Sequence, residues 1–338
     1  MSSTGLSLHN CGTAQKWQQI LSDLVTDPKE LLQILELDPS RLPVSGRVLA
    51  GFPLKVPRPF IARMEKGNPA DPLLAQVLPV NRELESHTGF CHDPLAETQY
   101  NPAPGLLQKY QGRALLTVAP HCTVHCRYCF RRHFDYASNT PARSEWRQAL
   151  DYIAADSELT EVIFSGGDPL ACSDRQLAWL AEAVADIPHV RRLRIHSRTP
   201  IMIPQRVTGE LLRWMTGTRL KTVLVLHCNH AREIDDEVGQ ALGLLHASGI
   251  TLLNQSVLLK GVNDSVTALK QLSESLFEKN VLPYYLHLLD RVEGVGHFDV
   301  AETEAVGLLR ELRGHLPGYL VPRLAKEVPG EGAKTLIA

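Results

Sequence analysis

The feature that most restricts the fold of this chain is a regular alternation of apolar runs of strand length with stretches of helical periodicity, beginning near Arg113. Such alternation predicts a parallel sheet covered by helices. Six strand–helix units that close only part of the way give a (β/α)6 partial TIM barrel, an α/β fold whose functional side chains gather at the carboxyl ends of the strands. The predicted strands are residues 114–119, 161–165, 192–196, 222–227, 251–258 and 283–289. The predicted helices are residues 142–155, 173–185, 204–216, 233–247, 266–278 and 302–313.

The first hundred residues lack this alternation and are predicted to form short helices and proline-broken loops that wrap the barrel. Asp27 followed by Pro28 is typical of a helix cap and a first-turn proline, and predicts a helix that ends near Leu37. An earlier amphipathic helix is predicted from apolar residues at helical spacing, which are Trp17, Ile20, Leu21, Leu24 and Val25. We expect three parts, namely an N-terminal helical segment, the barrel and a C-terminal tail. Their bounds are 1–105, 106–315 and 316–338.

The composition is that of an ordinary globular protein. The 338 residues include 44% hydrophobic and 21% charged side chains, and the formal net charge of -2 indicates no attraction to nucleic acid or membrane. No apolar run reaches the length of a membrane span, and residues 1–15 lack the basic and apolar regions of a signal peptide. We therefore expect a cytoplasmic protein, in which four scattered cysteines are unpaired and have no functional role. These are Cys11, Cys91, Cys172 and Cys228.

Three cysteines follow the first predicted strand at the spacing C-x3-C-x2-C. They are Cys122, Cys126 and Cys129. Three thiolates at this spacing predict a [4Fe–4S] cluster with one open iron, which is available to S-adenosylmethionine (SAM). A Cys3His zinc site is the alternative, since His121 and His125 lie among the cysteines. Zinc sites usually come with a second pair of ligands after a loop, and the sequence shows none here. The aromatic residue between the last two cysteines also favours the cluster.

Polar residues end the other predicted strands at the same edge of the sheet. The second strand ends in Gly166, Gly167 and Asp168, where two glycines allow backbone to approach a ligand closely. After a cluster motif, this turn predicts binding of the amino group of SAM. Further polar groups end the third, fourth and fifth strands, at 196–198, 227–230 and 254–256. Each could be a satisfied buried residue or a helix cap, but together they predict the rim of a binding site.

Two charged features lie outside this pattern. Arg131 and Arg132 follow the last cysteine of the motif. Paired arginines are usually solvated, but here at least one is expected to face the site, because a guanidinium binds a carboxylate through two hydrogen bonds. Near the C-terminus, Lys334 follows a loop that contains glycine and proline, and such a loop can return an otherwise exposed lysine to a pocket. Lysine is the residue that forms a Schiff base with pyridoxal phosphate (PLP).

From about Phe90 to Lys334 the order of these motifs resembles the lysine 2,3-aminomutase family of radical-SAM, PLP-dependent enzymes. The matching stretches, besides the tail lysine, are residues 92–97, 110–113, 122–134, 165–170, 198–206 and 254–264. So many matches in the same order are highly specific. The resemblance implies a radical-SAM partial barrel and an isomerase that moves an amino group. It also implies that the cluster and SAM initiate the radical chemistry, that PLP holds the migrating amino group and that an electron donor acts as a partner.

By position, the resemblance implies roles for five residues at the cofactors. Lys334 would form the Schiff base with PLP, and Tyr110 and Arg113 would hold PLP and its phosphate. His227 and Gln255 would contact SAM, together with the glycine turn after the second strand. Because a scaffold has no need of a PLP lysine, these residues favour an enzyme over the other class of protein considered, a non-catalytic iron–sulfur sensor or scaffold.

Three further residues are implied to bind substrate. Arg131 would take the carboxylate, whereas Asp290 and Glu327 would take the distal ammonium of L-lysine. The two anions argue against glutamate as substrate, but an arginine aminomutase stays possible. The second carboxylate lies seven residues before Lys334 and is Asp in the fermentative enzymes, so Glu327 is a departure. One extra methylene displaces the carboxylate by roughly 1 Å, a shift that can affect rate strongly.

The chain ends four residues after Lys334, which resembles the short branch of the family that modifies elongation factor P. In that branch the product, (R)-β-lysine, is attached to a lysine of elongation factor P by a partner ligase. The resemblance therefore implies free L-lysine as substrate and elongation factor P and its β-lysine ligase as functional partners. A homo-oligomer is possible.

Overall fold

The computed structural model describes residues 16–40, 42, 45–136 and 146–338. Within these residues, nine strands form one sheet whose spatial order follows the chain order. Strands β2 to β8 are parallel, and β1 and β9 join the two edges in antiparallel orientation. The strands are β1 (Leu106–Tyr110), β2 (Arg113–Ala119), β3 (Glu161–Gly166), β4 (Arg192–Ser197), β5 (Lys221–Leu226), β6 (Thr251–Val257), β7 (Leu282–His287), β8 (Arg323–Lys326) and β9 (Thr335–Leu336).

The six strands predicted from the sequence are β2 to β7, with bounds that agree to within two residues. Their apolar side chains are buried in register, as Leu116 lies opposite Phe164 and Phe164 opposite Ile195. The (β/α)6 partial barrel is therefore confirmed, and β8 adds a seventh parallel strand. Parallel strands place their carboxyl ends at one edge of the sheet, which brings the loops after β2 to β7 together.

Helices lie between the parallel strands. The longer helices are Trp146–Ala155, Asp174–Ala185, Gly209–Thr216, Asp236–Ala247, Val266–Glu278 and Glu302–Leu312. The shorter helices are Trp17–Ser22, Pro28–Ile34, Gly46–Gly51, Arg58–Ile61, Pro72–Ala75 and Thr199–Met202. The 3-10 helices are Asn81–Leu84, Glu97–Tyr100, Pro169–Ala171, Pro204–Arg206, Ala231–Glu233, Gly296–Phe298 and Gly318–Leu320. Side-chain caps fix several starts, since Asp235 accepts a hydrogen bond from the Val238 amide and Ser265 from the Ala268 amide.

Several predicted helix bounds were wrong for local reasons. The first helix ends at Ser22, because Val25 pairs with Val56 in an isolated β-bridge instead of continuing the helix. The prediction at 204–216 is split, since a 3-10 turn comes first and Thr208 then caps a new helix through the Leu211 amide. Of the helix predicted at 142–155, the structure describes the part from Trp146 onward, and the rest lies outside the described residues.

The N-terminal segment shares the hydrophobic core of the barrel. Trp17, Leu31 and Leu73 belong to the same buried cluster as Leu116 and Phe164. Burial of this apolar area ties the segment to the barrel at about 25 cal/mol per Å². The segment therefore positions barrel loops, and the division into three parts stays a prediction.

The predictions about membrane spans and unpaired cysteines can be compared with the structure only for the described residues. No helix among the described residues is both long and apolar enough to span a membrane. Cys91, Cys172 and Cys228 are unpaired, as predicted. Cys11 and the stretch assessed for a signal peptide, residues 1–15, lie outside the described residues.

Candidate active site

The turn after β3 packs directly on the start of the cysteine loop. The Gly167 amide donates to the Ala119 carbonyl at 2.8 Å, and the Asp168 amide donates to the His121 carbonyl at 2.9 Å. A Cβ atom on Gly167 would lie 2.3 Å from the His121 oxygen, and Gly166 has a φ of +108°. The two glycines are thus required for contact between two segments of this chain, whereas the sequence suggested contact with a ligand. Their binding of SAM stays a prediction.

The Asp168 side chain joins the ends of β3 and β4. One carboxylate oxygen accepts hydrogen bonds from Ser197 Oγ at 2.7 Å and the Leu170 amide at 3.0 Å. The other accepts from the amides of Arg198 and Thr199, at 2.8 and 2.9 Å. Burial raises the pKa of this carboxyl group, and the hydrogen bonds oppose that shift. With both oxygens occupied, any contact of this residue with SAM would fall on its backbone.

The three cysteine thiols lie close enough together to influence one another. Burial, then the charges of Cys129, Asp168 and Cys126, raise the pKa of Cys122 well above its usual range. Burial and Cys126 raise the pKa of Cys129 to about 11. Such half-buried thiols, with their pKa raised, become thiolates readily only when a cation is bound.

The three cysteines supply the ligand type that a cluster requires. Among the described residues, no group of three His, Cys, Asp or Glu side chains converges to hold one metal ion. A [4Fe–4S] cluster does not need such convergence, because each of its three cysteine thiolates binds a different iron. The donor set of Cys122, Cys126 and Cys129 therefore fits the cluster.

Buried ion pairs hold the cysteine loop against the N-terminal segment. Arg127 and Arg132 both pair with the Glu83 carboxylate, in bonds that water hardly reaches. The Arg127 amide also donates to the Gln76 carbonyl at 2.8 Å. Both arginines lie over the Phe52 ring, at 4.8 and 5.0 Å from its centroid. The loop that would hold the cluster is thus fixed before any cofactor binds, and Arg132 serves that purpose instead of facing a substrate.

Arg131 is buried and already engaged. Its Nε and Nη2 atoms donate to the two Glu97 oxygens at 2.7 and 2.8 Å, which is a bidentate ion pair. Its Nη1 atom donates to Gly166 O at 3.1 Å and Ser165 Oγ at 3.3 Å. Four of the five N–H groups of the guanidinium are thus used within the described residues. The sequence predicted a two-bond clamp on the substrate carboxylate, and that clamp would require one of these bonds to break.

Glu97 is a site residue that the sequence analysis did not single out. It also lies 3.4 Å from Lys109 Nζ, and both of its oxygens are buried in the pair with Arg131. Burial would raise the pKa of Glu97, but the Arg131 and Lys109 charges hold it below its usual value. Its only signal in the sequence is its place in the matched stretch at 92–97.

The tail returns Lys334 to the barrel, because β9 pairs with β8 immediately after it. Lys334 Nζ lies 2.5 Å from Glu327 Oε1 and 3.2 Å from His287 Nε2 at the end of β7. Tyr110 from β1 donates its hydroxyl to the other Glu327 oxygen. The Arg113 guanidinium lies 4.5 Å from the centroid of the Tyr110 ring. Four of the residues predicted from the sequence therefore meet, and the expected return of the tail is found.

Two carboxyl groups near Lys334 have opposite electrostatic behaviour. Burial and the neighbouring Glu327 raise the pKa of Asp290 to about 7, against the opposing charges of Lys334 and Lys109. Burial would also raise the pKa of Glu327, but Lys334 and the Tyr110 hydrogen bond hold it below its usual value. One carboxylate is thus neutralised by Lys334, and the other is left without a full counter-charge.

Three histidines line the interior near these charges, and one of them, His287, was not identified from the sequence. His196, His227 and His287 come from β4, the end of β5 and β7. Burial, and then neighbouring positive charges that include Lys334, lowers the pKa of each, in the case of His227 to about 4. The Nε2 atoms of His196 and His227 are buried without a hydrogen-bond partner among the described residues. Such buried unpaired atoms are typical of a site that holds a polar ligand.

Comparison with known proteins agrees with this geometry. The Radical SAM superfamily profile matches residues 116–223, which extend from β2 into β5. The L-lysine 2,3-aminomutase of Escherichia coli is 51% identical over 327 residues, covering 96% of this chain and 95% of that protein. The enzyme of the same name from Haemophilus influenzae is 50% identical over 326 residues, covering 96% of each. A longer one from Acetoanaerobium sticklandii is 35% identical, covering 95% of this chain and 77% of that protein.

The chain belongs to the L-lysine 2,3-aminomutase family. Members of this radical-SAM aminomutase family use a [4Fe–4S] cluster, SAM and PLP. The residues present fit all three. The cysteine loop offers thiols for the cluster, the unpaired nitrogens of His196 and His227 offer polar contacts for a ligand, and Lys334 offers the amine that PLP requires. Gln255 lies half-buried on β6, in register with Tyr285 of β7, so it belongs to the same interior.

Proposed function

We propose that this chain converts L-lysine to β-lysine, by moving the α-amino group to the neighbouring carbon. The observation that most supports this is the group formed by Lys334, Glu327, Tyr110 and the nearby Asp290 inside the barrel. An amine suited to a Schiff base lies beside two carboxylates suited to a distal ammonium. The relatives at 50 and 51% identity bear the name L-lysine 2,3-aminomutase, which supports the same reaction.

The bound cofactors would supply the radical and the electron sink. The protein would hold the substrate in position and exclude water from the site. Arg131 would orient the substrate carboxylate at the cysteine-loop side of the site, after giving up one of its present hydrogen bonds. Its charge and that of Lys334 both lower the pKa of His196 and His227, so both cations lie near these histidines. Neutral histidines add no positive charge that would repel a lysine ammonium. The buried interior excludes water, which protects reactive species.

Glu327 has two partners that compete with a substrate. Lys334 and Tyr110 both bond to it when Lys334 carries its free ammonium. A Lys334 nitrogen that held PLP would not carry this ammonium, so Glu327 would lose its counter-charge while substrate enters the site. We propose that Glu327 and Asp290 then bind the side-chain ammonium of lysine together.

The proposal extends to the short branch that supplies (R)-β-lysine for elongation factor P. Support comes from coverage, since the chain matches the Escherichia coli and Haemophilus influenzae enzymes over 95 and 96% of their length but the longer Acetoanaerobium sticklandii enzyme over 77%. A cytoplasmic location agrees with the unpaired Cys91, Cys172 and Cys228. The β-lysine ligase and an electron donor would be the functional partners.

The experiment that tests the proposal combines trapping with turnover. The protein is incubated with PLP, reduced with borohydride and digested, and the pyridoxyl group should be found on Lys334. Lys334→Ala should lose the label, whereas Lys326→Ala, which removes an exposed lysine paired with Glu302, should retain it. Anaerobic assays with dithionite and SAM should then form β-lysine from L-lysine. Label on another lysine, or conversion of arginine in place of lysine, would contradict the proposal.

A further inference from the structure

Arg198 is a buried arginine that contacts a cysteine of the cluster motif. It follows β4, and only 4% of its surface is exposed. Its Nη1 atom lies 2.8 Å from Cys126 Sγ and 2.6 Å from the Tyr128 hydroxyl. Its Nη2 atom donates to Gln76 Oε1 at 2.6 Å and Glu233 Oε2 at 3.0 Å. The sequence placed Arg198 on the rim of the site, but the structure places it beneath the cysteine loop.

The partners of Arg198 are themselves held in place. The Glu233 carboxylate accepts from Gln76 Nε2 at 3.0 Å, and from the amides of Asn229 and His230 at 3.0 and 3.1 Å. Asn229 Nδ2 donates to Gln76 Oε1 at 3.0 Å and to the Tyr128 hydroxyl at 2.7 Å. Gln76, Glu233 and Asn229 are almost completely buried. The guanidinium is therefore held by the N-terminal segment, the cysteine loop and the loop after β5. These contacts direct its Nη1 atom toward the Cys126 sulfur.

An ion pair alone does not explain this orientation. Glu233 would neutralise Arg198 wherever the guanidinium pointed, yet Nη1 is directed away from Glu233 and toward the sulfur. Hydrogen bonds to the sulfur ligands and the net local charge are two of the quantities that set the reduction potential of an iron–sulfur cluster. A cation beside the cluster stabilises the reduced form, which has one more negative charge.

We propose that Arg198 is a positioning residue for the Cys126 thiolate and that its charge and hydrogen bond raise the reduction potential of the cluster. Gln76, Asn229 and Glu233 keep the guanidinium in place. Because Gln76 comes from the N-terminal segment, that segment takes part in setting the potential. The residue acts on the one-electron reduction of the cluster from the 2+ to the 1+ state, for which dithionite is the reductant in the test.

The test is a redox titration of the reconstituted holoenzyme without lysine, following the electron paramagnetic resonance signal of the reduced cluster. Arg198→Gln should lower the midpoint potential. A tenfold loss in the ratio of reduced to oxidised cluster at a fixed potential corresponds to about 59 mV for one electron. Arg198→Lys, which keeps the charge but not the planar fork, should show a smaller shift in the same direction. Each variant is compared at equal iron content per chain.

Two further variants separate this effect from loss of folding. Arg206→Gln is the matched control, because Arg206 is as deeply buried and bonds to Asp174 and to the Leu170 carbonyl. It should leave the potential unchanged. Glu233→Gln keeps Arg198 but removes its counter-charge, so it should shift the potential in the opposite direction to Arg198→Gln.

These outcomes decide the proposal. An unchanged potential in Arg198→Gln, or an equal shift in Arg206→Gln, would overturn it. If Arg198→Gln cannot be loaded with the cluster, then Arg198→Lys and Glu233→Gln decide. Shifts of opposite sign in those two variants support the proposal, and shifts of the same sign or no shifts refute it. Failure of these tests leaves the lysine reaction untouched, since substrate is absent.

Discussion

The unusual carboxyl group of Asp290 gives a direct test of ammonium recognition. Its pKa is raised to about 7 by burial and by Glu327, and the opposing charges come from Lys334 and Lys109. Glu97 adds a smaller negative contribution. A lysine ammonium stays protonated throughout this range, because its ordinary pKa is about 10.4. Since only the ionised carboxylate attracts that ammonium, L-lysine should bind less tightly as the pH falls below about 7.

The size of the effect follows from the titration. Each pH unit below the pKa reduces the ionised fraction about tenfold, so the dissociation constant of L-lysine should rise roughly tenfold between pH 8 and pH 6. That factor corresponds to about 1.4 kcal/mol. The interior histidines should not compensate. Burial lowers the pKa of His227 to about 4, and lowers those of His196 and His287 well below the usual range, so all three stay neutral.

The assay is anaerobic calorimetric titration of the protein with its cluster oxidised and without PLP, at several values from pH 6 to pH 8. Lys334 then keeps the free ammonium whose charge enters the pKa of Asp290. L-norleucine is the control ligand, because it shares the α-amino group and carboxylate of lysine but has no side-chain ammonium. The dissociation constant of lysine is divided by that of norleucine at each pH. Any pH dependence that comes from protonation of the α-amino group then cancels. The ratio should rise about tenfold toward pH 6 in the wild type and stay constant in Asp290→Asn.

Two results would refute the reasoning. A ratio that does not change between pH 8 and pH 6 in the wild type would show that no carboxyl group facing the ammonium titrates in this range. The same rise in Asp290→Asn as in the wild type would assign the titration to a group other than Asp290.

Three further predictions concern stability and cluster loading. In the folded protein the pKa of Asp290 is raised from 3.8 to about 7, so charging this carboxyl group opposes folding as the pH rises. Asp290→Asn should therefore stabilise the ligand-free protein at pH 8 by up to roughly 4 kcal/mol and lose that advantage toward pH 4. Urea denaturation measures this difference. Glu97→Gln should cost about 3–5 kcal/mol in the same measurement, because it leaves a buried arginine unpaired, whereas Glu302→Gln in an exposed pair should cost under about 1 kcal/mol. Gly167→Ala should reduce the iron bound per chain on reconstitution, because its Cβ would lie 2.3 Å from a backbone oxygen of the cysteine loop. Relieving that clash should cost about 1–3 kcal/mol of stability. Gly209→Ala is the control, since it has open space around it and should bind iron normally.

The central strands could be predicted because their sequences reflect burial on both faces. Runs such as that of β5, with Leu224 and Leu226 fully buried, stand out between polar turns. Strands β8 and β9 could not be predicted in the same way, since β9 has two residues and β8 has four. Their position depends on the return of the tail, which the sequence indicates only through the glycine- and proline-bearing loop before Lys334.

The site was predictable where chemistry requires a residue type, and not where packing decides a partner. The three cysteines and Lys334 stand out because thiolates and an amine have few substitutes. The pairing of Arg131 in the cysteine loop with Glu97 in a short 3-10 helix joins residues 34 positions apart, so no periodicity predicts it. Arg198 was assigned to the rim for the same reason, as nothing in the sequence shows that Cys126 lies within hydrogen-bonding distance.

The central claim is that one site moves the α-amino group of lysine while its side-chain ammonium is held in place. Anaerobic turnover of L-lysine labelled with 15N at the α-amino group, followed by nuclear magnetic resonance, tests this directly. The account predicts β-lysine with the label on carbon 3 and none on the side-chain nitrogen. Label lost to solvent, label on the side-chain nitrogen, or no β-lysine from a protein fully loaded with cluster and PLP would contradict it.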